Sequence, residues 1–156
     1  MPIYGIIILL IVLLIAVVLV IGYICSGIVI YSRRQPIVRT PQEYGMSYED
    51  VEFKSTDGLT IKGWFIPSPS AKTDNVIILT HPMPMNRHGF LAKNQGFPPM
   101  FKTDVDLLRT IHALHQAGYP VLAFDLRNHG ESDGGITGNG LSEYQDVLGA
   151  VNYVNN

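Results

Sequence analysis

The first thirty residues of the chain are apolar almost without interruption. From Ile3 to about Tyr31 the chain is mostly Ile, Leu, Val and Ala, and no charged side chain precedes Arg33. As a helix this run would be about 40 Å long, and the hydrocarbon core of a bilayer is roughly 30 Å thick. The pattern therefore predicts a transmembrane anchor at residues 1–32 that spans the bilayer with some tilt.

A cleaved signal peptide is the alternative interpretation of this run. It fits less well, because no Lys or Arg stands in front of the run and its length exceeds the usual core of ~7–15 apolar residues. Three arginines follow the run, Arg33, Arg34 and Arg39, and none precedes it. The positive-inside rule then predicts a single-pass membrane protein, with the bilayer as its partner and a cytoplasmic C-terminal domain.

A polar linker and a hairpin are predicted next. Residues 33–50 are rich in polar side chains and are interrupted by prolines and a glycine, which indicates a linker that holds the following domain a short distance from the bilayer. Residues 51–55 alternate apolar and polar positions, residues 56–58 are a turn signal, and residues 59–66 read as a return strand. This pattern predicts an antiparallel hairpin at the start of a domain that covers residues 51–156.

Alternating strands and helices follow. Residues 76–80 are a short continuous apolar run, and residues 121–126 are apolar except for Asp125, as expected of central strands that are covered on both faces. Between them, residues 103–106 resemble a helix N-cap, and apolar residues then recur at helical spacing until Gly118 and Pro120. Residues 142–145 resemble a capping box before a second helix. The order strand, helix, strand, helix predicts an α/β fold with a parallel βαβ unit.

The connection from Pro82 to Lys102 is long for a compact domain. Its large apolar residues stand among glycines and prolines: Met83, Met85, Phe90, Phe97, Met100 and Phe101. Because Met and Phe side chains suit an adaptable apolar surface, the segment can be interpreted as a lid or pocket wall beside a site. The alternative is a surface insertion with a small core of its own.

Composition excludes several classes of function. The formal net charge is -2 and the sequence pI is about 6.2, so the sequence has no basic patch that argues for nucleic acid. Cys25 is the single cysteine, which excludes an internal disulfide framework. His112 and His115 share a helix face, but no third ligand is near them in sequence, and we expect solvated histidines. We predict no metal site and no cofactor.

The stretch from Val121 to Gly134 turns abruptly from an apolar strand to a polar, Gly-rich loop. In an open α/β sheet such a change marks the carboxyl end of a strand, where ligands bind. Its pattern Asp-x-Arg-x-His-Gly-x-Ser resembles the α/β-hydrolase family, in which this segment is the fourth strand and the loop after it. The resemblance implies that five residues organise the turn behind the oxyanion site: Asp125, Arg127, His129, Gly130 and Ser132.

The segment 130–134 also matches the nucleophile-elbow pattern G-x-S-x-G. That motif requires a strand that ends at the serine and a helix that begins directly after it. Here the apolar strand stops near Leu126, and the residues after Ser132 are rich in glycine, which disfavours a helix. The sequence therefore indicates that Ser132 is a polar loop residue and not the nucleophile.

The strand at residues 76–80 ends at a second motif of the same family. Hydrolases of this kind carry His-Gly-x there, and a backbone N–H just beyond it binds the oxyanion. By position His81 matches the histidine, Met83 would supply the N–H, and Pro82 replaces the glycine. Because proline has no N–H, Pro82 cannot act as a donor. The other interpretation of His81 is a loop histidine that buttresses the turn.

The resemblance covers roughly residues 50–156, the first half of a hydrolase domain. In the family's chain order the serine, the acid and the histidine all come later. The expectation is a truncated serine hydrolase for esters, thioesters or amides, without catalytic residues in the chain and inactive alone, whose partner is the missing half. Two alternatives remain: a non-catalytic membrane protein that completes its sheet with a second chain, and a secreted protein with a signal peptide.

Overall fold

The computed structural model describes residues 3–31, 34–70, 73, 75–94 and 102–155. The chain divides into two compact units, Met1–Tyr31 and Ser32–Asn156. The first unit is one α-helix, α1 (Ile3–Ile30). By length and composition its segment Ile3–Gly27 could cross a membrane, and a signal sequence near the N-terminus would have the same properties. The helix itself therefore agrees with the sequence prediction, while its membrane role stays a proposal.

Among its described residues, the second unit contains six strands, two α-helices and two 3₁₀-helices. The strands are β1 (Glu49–Lys54), β2 (Thr60–Ile66), β3 (Ile77–Leu79), β4 (Gly89–Phe90), β5 (Val105–Asp106) and β6 (Val121–Phe124). The α-helices are α2 (Leu107–Gln116) and α3 (Tyr144–Val154), and the 3₁₀-helices are Pro41–Tyr44 and Ala92–Asn94. This mixed α/β content confirms the coarse fold class that the sequence predicts.

The main sheet has four strands in the order β1-β2-β6-β3. β1 and β2 form the predicted antiparallel hairpin, with Glu49 opposite Phe65 and Lys54 opposite Thr60. β2 is also antiparallel to β6, whereas β3 and β6 are parallel, as predicted for the two apolar runs. Because the ends of parallel neighbours lie at the same edge of a sheet, the loops after β3 and β6 start side by side.

Alternating side chains of the sheet enter two separate cores. Val121 and Ala123 pack with Trp64 on the face covered by α2, and the first 3₁₀-helix also contacts α2. Leu122 and Phe124 point to the opposite face, where α3 packs against β1. All four residues of β6 are buried, because both faces of this strand are covered.

The structure corrects three local predictions. Asp106, and not Thr103, is the N-cap of α2, because its carboxylate accepts the Arg109 N–H at 3.3 Å while residues 105–106 form β5. The capping box at the start of α3 does not form: the Glu143 carboxylate instead accepts the N–H groups of the preceding turn. In the predicted linker, Met46 is buried in the core beside Trp64.

Part of the predicted lid segment lies inside the domain. Residues 86–91 are buried, and β4 pairs with β5 in a separate two-stranded sheet. Phe90 is fully buried, which assigns it to packing and not to a mobile wall. Phe97, Met100 and Phe101 lie outside the described residues, so the remainder of this prediction stays open.

Candidate functional site

The candidate site lies where the loops after β3 and β6 meet. Asp125 directly follows β6 and is completely buried. Its Oδ1 atom accepts the backbone N–H of Arg87 at 2.8 Å, and its Oδ2 atom accepts the N–H of Glu131 at 3.0 Å. A single carboxylate therefore joins the loop after β3 to the loop after β6, and charge-assisted bonds of this kind are stronger than neutral ones.

Arg87 supplies the positive charge beside this carboxylate. Its Nη1 atom pairs with Asp125 Oδ2 and its Nη2 atom pairs with Glu131 Oε2. The guanidinium carbon also lies 4.4 Å from the centre of the Trp64 ring, a favourable cation–π distance. The arginine side chain is 3% exposed, whereas Glu131 is 54% exposed, so the pair connects the buried centre of the site to solvent.

The sequence does not identify Arg87 as a site residue, because it lies in the segment interpreted as a lid or a surface insertion. A lone arginine in a glycine- and proline-rich loop is normally a surface residue. The sequence contains only an indirect signal for this role of Arg87. Asp125 directly follows a buried strand and therefore needs hydrogen-bond donors or a cation, because an unpaired buried charge is costly. Nothing local in the sequence indicates that Arg87 meets this need from 38 positions away.

The neutral imidazole ring of His81 joins the loop after β3 to the loop after β6. Its Nε2 atom accepts the Leu126 N–H at 3.1 Å, so the ring proton is on Nδ1, 3.2 Å from the Pro82 carbonyl oxygen. Burial, together with the adjacent His129, lowers the pKa of His81 to about 4. These contacts fit the buttressing role and leave Nε2 occupied.

His129 packs edge-on against His81, with ring centres 5.1 Å apart. Its Nδ1 atom lies 2.9 Å from the Arg127 carbonyl oxygen, which identifies Nδ1 as the protonated nitrogen. The Nε2 atom is buried and has no hydrogen-bond partner in the part of the chain that the structure describes. His129 is thus a second buried histidine at the base of the site.

The predicted oxyanion residues lie in a tight turn after His81. The Met85 N–H donates to the Pro82 carbonyl oxygen at 2.9 Å, and the Met83–Pro84 peptide bond is cis. Pro82 is exposed and lacks an N–H, as the sequence requires. Met83 is half-buried, and its N–H donates no hydrogen bond to another described residue. The turn therefore presents a backbone donor that is free to bind an acceptor.

Arg127 ties the loop after β6 to two other elements. Its guanidinium makes paired hydrogen bonds to Asp57 in the β1–β2 turn, both at 2.8 Å, and to Asp146 in α3. The hydrogen bonds from Arg127 lower the pKa of Asp57 to about 2, while the pKa of Arg127 is raised. This arrangement gives Arg127 structural partners on both sides of the loop.

Ser132 is built into the same loop. It is 1% exposed, its hydroxyl donates to the Asp125 carbonyl oxygen at 2.6 Å, and its Oγ atom accepts the Lys62 N–H at 2.9 Å. β6 ends eight residues before Ser132, at Phe124, and α3 begins only at Tyr144. This G-x-S-x-G match therefore lacks the strand–serine–helix geometry of a nucleophile elbow.

Gly130 makes the close packing of this loop sterically feasible. Its φ is +44°, a left-handed conformation that side chains disfavour. A Cβ atom at this position would lie 2.1 Å from Asp125 Oδ2, well inside contact distance. Glycine therefore lets the backbone approach the buried carboxylate closely enough for the Glu131 N–H to reach it. Within the described residues, no cluster of three side chains could hold a metal ion.

The chain resembles known proteins over part of their length. No protein family model matches the chain. The chain is 31% identical over 108 residues to the uncharacterised protein YfhR of Escherichia coli K12, a match that covers 69% of this chain and 32% of YfhR. The protein of the same name from Escherichia coli O157:H7 matches to the same extent.

Solved structures give a similar result. One structure of the Pyrococcus furiosus esterase Pf2001 is 28% identical with a TM-score of 0.62, covering 81% of this chain and 42% of the esterase. A second structure of that esterase gives 29% identity, a TM-score of 0.61, and coverage of 78% and 42%. The chain has a partial α/β-hydrolase-like fold. It spans about a third of the curated relatives that it matches and less than half of this esterase.

Proposed function

We propose that this chain is part of a membrane-anchored serine hydrolase that cleaves esters, thioesters or amides by acyl transfer. The observation that carries the proposal is the likeness to the Pf2001 esterase, at 28% identity over most of this chain. The meeting of two loops at the carboxyl ends of β3 and β6 supports it, because open α/β sheets bind their ligands at this edge.

In this proposal Met83 is an oxyanion-hole donor. Acyl transfer builds negative charge on the carbonyl oxygen, and preorganised N–H groups stabilise that charge. Met83 is half-buried, its N–H donates no hydrogen bond to a described residue, and the turn around it is held by bonds of Pro82 and His81. His81, Asp125 and Arg87 are then positioning residues, because their side-chain bonds hold the two loops in place.

The nucleophile of this proposal is not Ser132. Its hydroxyl donates to one backbone group and accepts from another, and its side chain is buried. A serine nucleophile must be exposed and bonded to a general base. The proposal therefore assigns the nucleophile, acid and histidine to polypeptide beyond the described residues, and the described residues alone are catalytically inactive.

The proposed location is a membrane surface. The apolar length of α1 is sufficient for a span, and Arg34 and Arg39 follow it, which favours a cytoplasmic site. Met83, whose N–H is the proposed oxyanion donor, and Met85 two residues later are both half-buried. Flexible thioether side chains accommodate irregular apolar groups. Together these features favour a lipidic or acylated substrate.

A chimaera tests the proposed chemistry. Residues 34–155 replace the matched part of the Pf2001 esterase, and hydrolysis of p-nitrophenyl esters is measured after circular dichroism has shown folding. We expect turnover, and we expect Met83→Pro, which removes the N–H, to lower kcat by roughly 10²–10³-fold. Met83→Leu retains the N–H and should retain activity.

A folded chimaera without hydrolysis contradicts the proposed function. Unchanged turnover in Met83→Pro would instead remove Met83 from the oxyanion hole. If the large chimaera does not fold, the smaller exchange of the loop corresponding to residues 81–87 tests the same donor within the esterase.

A further inference from the structure

The connection between β6 and α3 contains a stretch without charge, which we call the apolar loop. It covers residues 134–142 and includes four glycines and no charged side chain. Its two large apolar side chains are both exposed to solvent, Ile136 at 60% and Leu141 at 83%. Such side chains gain hydrophobic free energy when they enter an apolar environment, and an uncharged loop loses no hydration of charge on the way. The composition of the apolar loop therefore favours contact with an apolar partner.

Hydrogen bonds support the backbone of the apolar loop. Thr137 is buried, and its hydroxyl oxygen accepts an N–H of the Asn128 side chain at 3.0 Å. The backbone N–H groups of Gly138 and Gly140 donate to the Glu143 carboxylate at 2.6 Å and 2.8 Å. The loop thus displays its two exposed apolar side chains on a backbone that the domain holds in place.

Arg34 is bonded to the start of the apolar loop. Its Nη1 atom donates to the Ser132 carbonyl oxygen at 2.8 Å, and its Nη2 atom lies 3.1 Å from where a Cβ on Gly134 would be. Arg34 is the fourth residue after Ile30, at which α1 ends. The apolar loop is therefore bonded to the chain at a point only a few residues from the proposed membrane span.

The segment 34–36 is bonded to the domain along its length. The Asn86 side chain donates to the carbonyl oxygens of Gln35 and Pro36 at 3.1 Å and 3.2 Å. The Nε2 atom of His88 lies 3.2 Å from the Pro36 carbonyl oxygen. This segment is therefore a fixed part of the domain, and it keeps the apolar loop next to the residues that lead to the proposed span.

The charges beside the apolar loop indicate the kind of membrane contact. Asp133 directly precedes the loop and Glu143 directly follows it. Carboxylates are repelled by the negative surface of anionic lipids, so electrostatic attraction does not favour docking. The apolar side chains must supply the binding free energy, and the acyl chains of uncharged, zwitterionic lipids are sufficient for that.

We propose that the apolar loop docks on the lipid bilayer and inserts Ile136 and Leu141 among the acyl chains. The inference rests on the membrane anchor of the proposed function and deepens it, because it names the bilayer as the partner of the connection after β6. The same connection contains Asp125 and Ser132 of the candidate site. Docking holds this edge of the sheet at the lipid surface, where a lipidic or acylated substrate is concentrated.

The test uses the full chain in phosphatidylcholine vesicles, with an environment-sensitive fluorophore on a single cysteine and spin-labelled lipids as quenchers. In Cys25→Ser/Ile136→Cys, the fluorescence should shift to shorter wavelength and be quenched by the spin-labelled lipid. Thr110→Cys in the same background is the control at an exposed position of α2, and lipid should quench it little. A label on the natural Cys25, within α1, reports separately whether that helix is in the bilayer.

A second substitution measures the contribution of the loop's other apolar side chain. Leu141→Asp, added to the Ile136→Cys chain, should lower the ratio of docked to undocked loop by roughly tenfold, because a charge replaces a side chain that docking buries. Its high exposure makes the substitution compatible with the fold. Thr110→Asp adds the same charge on α2 and should leave the ratio unchanged.

Three results would overturn the inference while the Cys25 label is quenched: no lipid quenching at position 136, equal quenching at positions 136 and 110, or a spectral shift at 136 without lipid quenching. The last result would mean that protein, such as a second copy of this chain, covers the loop. In each of these cases the anchor stands and only the docking fails. Absence of quenching at Cys25 would remove the anchor of the proposed function and the docking with it.

Discussion

Arg127 and Asp146 form a buried, multiply bonded ion pair that attaches the loop after β6 to α3. The guanidinium Nη2 and Nε atoms lie 2.8 Å and 3.1 Å from Asp146 Oδ1, and the Arg127 N–H donates to Oδ2 at 2.9 Å. Arg127 is 5% exposed and Asp146 is fully buried. The loop that carries the proposed site is therefore fixed from behind by a helix that begins 17 residues after Arg127 in the sequence.

Asp146→Asn should lower the free energy of unfolding by roughly 3–5 kcal/mol, the usual cost of removing one partner from a buried ion pair. Asp57 still contacts Arg127 in this variant. The hydrogen bonds from the backbone N–H and Nε of Arg127, however, lose their charged acceptor. Urea unfolding followed by the fluorescence of Trp64, the single tryptophan, measures the change. The control variant Asp50→Asn, at an exposed position, should change the free energy of unfolding by less than about 0.5 kcal/mol. Equal effects of the two variants would contradict this role of Asp146.

Arg87→Met should also destabilise the domain by roughly 3–5 kcal/mol, because it leaves Asp125 buried without its cation. Methionine retains much of the apolar stem, so the loss reports mainly on charge and hydrogen bonding. The same unfolding experiment applies, and Trp64 emission should shift because the guanidinium lies 4.4 Å from its ring centre. Arg109→Met, on the exposed part of α2, is the control. A stable Arg87→Met protein with unchanged emission would show that the pair does not hold the site.

Gly130→Ala should lower stability by more than the roughly 1 kcal/mol expected from backbone strain alone. Its φ is +44° and its Cβ would lie 2.1 Å from the Asp125 carboxylate, so the buried pair with Arg87 must move. Gly58→Ala separates the two causes, because Gly58 has φ +94° with no atom within 4 Å of the added Cβ. Comparable losses in both variants would mean that the contact with Asp125 carries no cost.

Acid should destabilise the domain through His81. Burial and the neighbouring His129 together lower its pKa to about 4 in the folded state, whereas an unfolded histidine has a pKa of about 6.5. Between those values the unfolded chain binds a proton that the folded chain does not. Stability from this group is therefore complete above about pH 6.5 and is lost as the pH falls to 4, by about 3 kcal/mol.

His81→Gln provides the comparison for this pH dependence, because the amide oxygen can still accept the Leu126 N–H and does not titrate. Unfolding free energies from pH 7 to pH 4 should fall more steeply in the wild type than in this variant. Parallel curves for the two proteins would exclude His81 as the titrating group.

The N-terminal helix should remain attached to the protein in membranes. Mass spectrometry of the membrane fraction should find an intact segment from Met1 to Arg33, and alkaline carbonate should not release the protein. An uncleaved apolar helix of this length binds a bilayer stably. Recovery of a shorter, soluble product cut within residues 1–33 would support a signal peptide and overturn the anchor.

Local features of the sequence predicted much of the fold. The apolar runs placed β3 and β6, the alternation placed the hairpin, and helical spacing placed α2. The limits of α2 and α3 were less accurate, because several acidic or polar residues near each start could cap the helix. In the folded chain Asp106 caps α2, while Glu143 instead accepts N–H groups from the preceding turn.

The site could be predicted in outline, because the Asp-x-Arg-x-His-Gly-x-Ser pattern follows an apolar strand. The hydrogen-bond and ion-pair partners of these residues could not be predicted from the sequence. Asp125 is paired with Arg87, 38 residues earlier, and Arg127 is shared between Asp57 and Asp146. Sequence spacing carries no signal for such pairs, since they depend on how the loops converge after the sheet has formed.

The sequence by itself determined the elements of this protein: an apolar helix, a hairpin, two buried strands, two amphipathic helices and a glycine-rich loop after the second of these strands. These follow from the period of the apolar positions and from the backbone freedom of glycine, which are local properties. Only the tertiary structure decided that Ser132 is enclosed, that Arg87 is buried and that Arg127 is shared between Asp57 and Asp146. Those outcomes depend on the strand order β1-β2-β6-β3, which brings together residues that are distant along the chain.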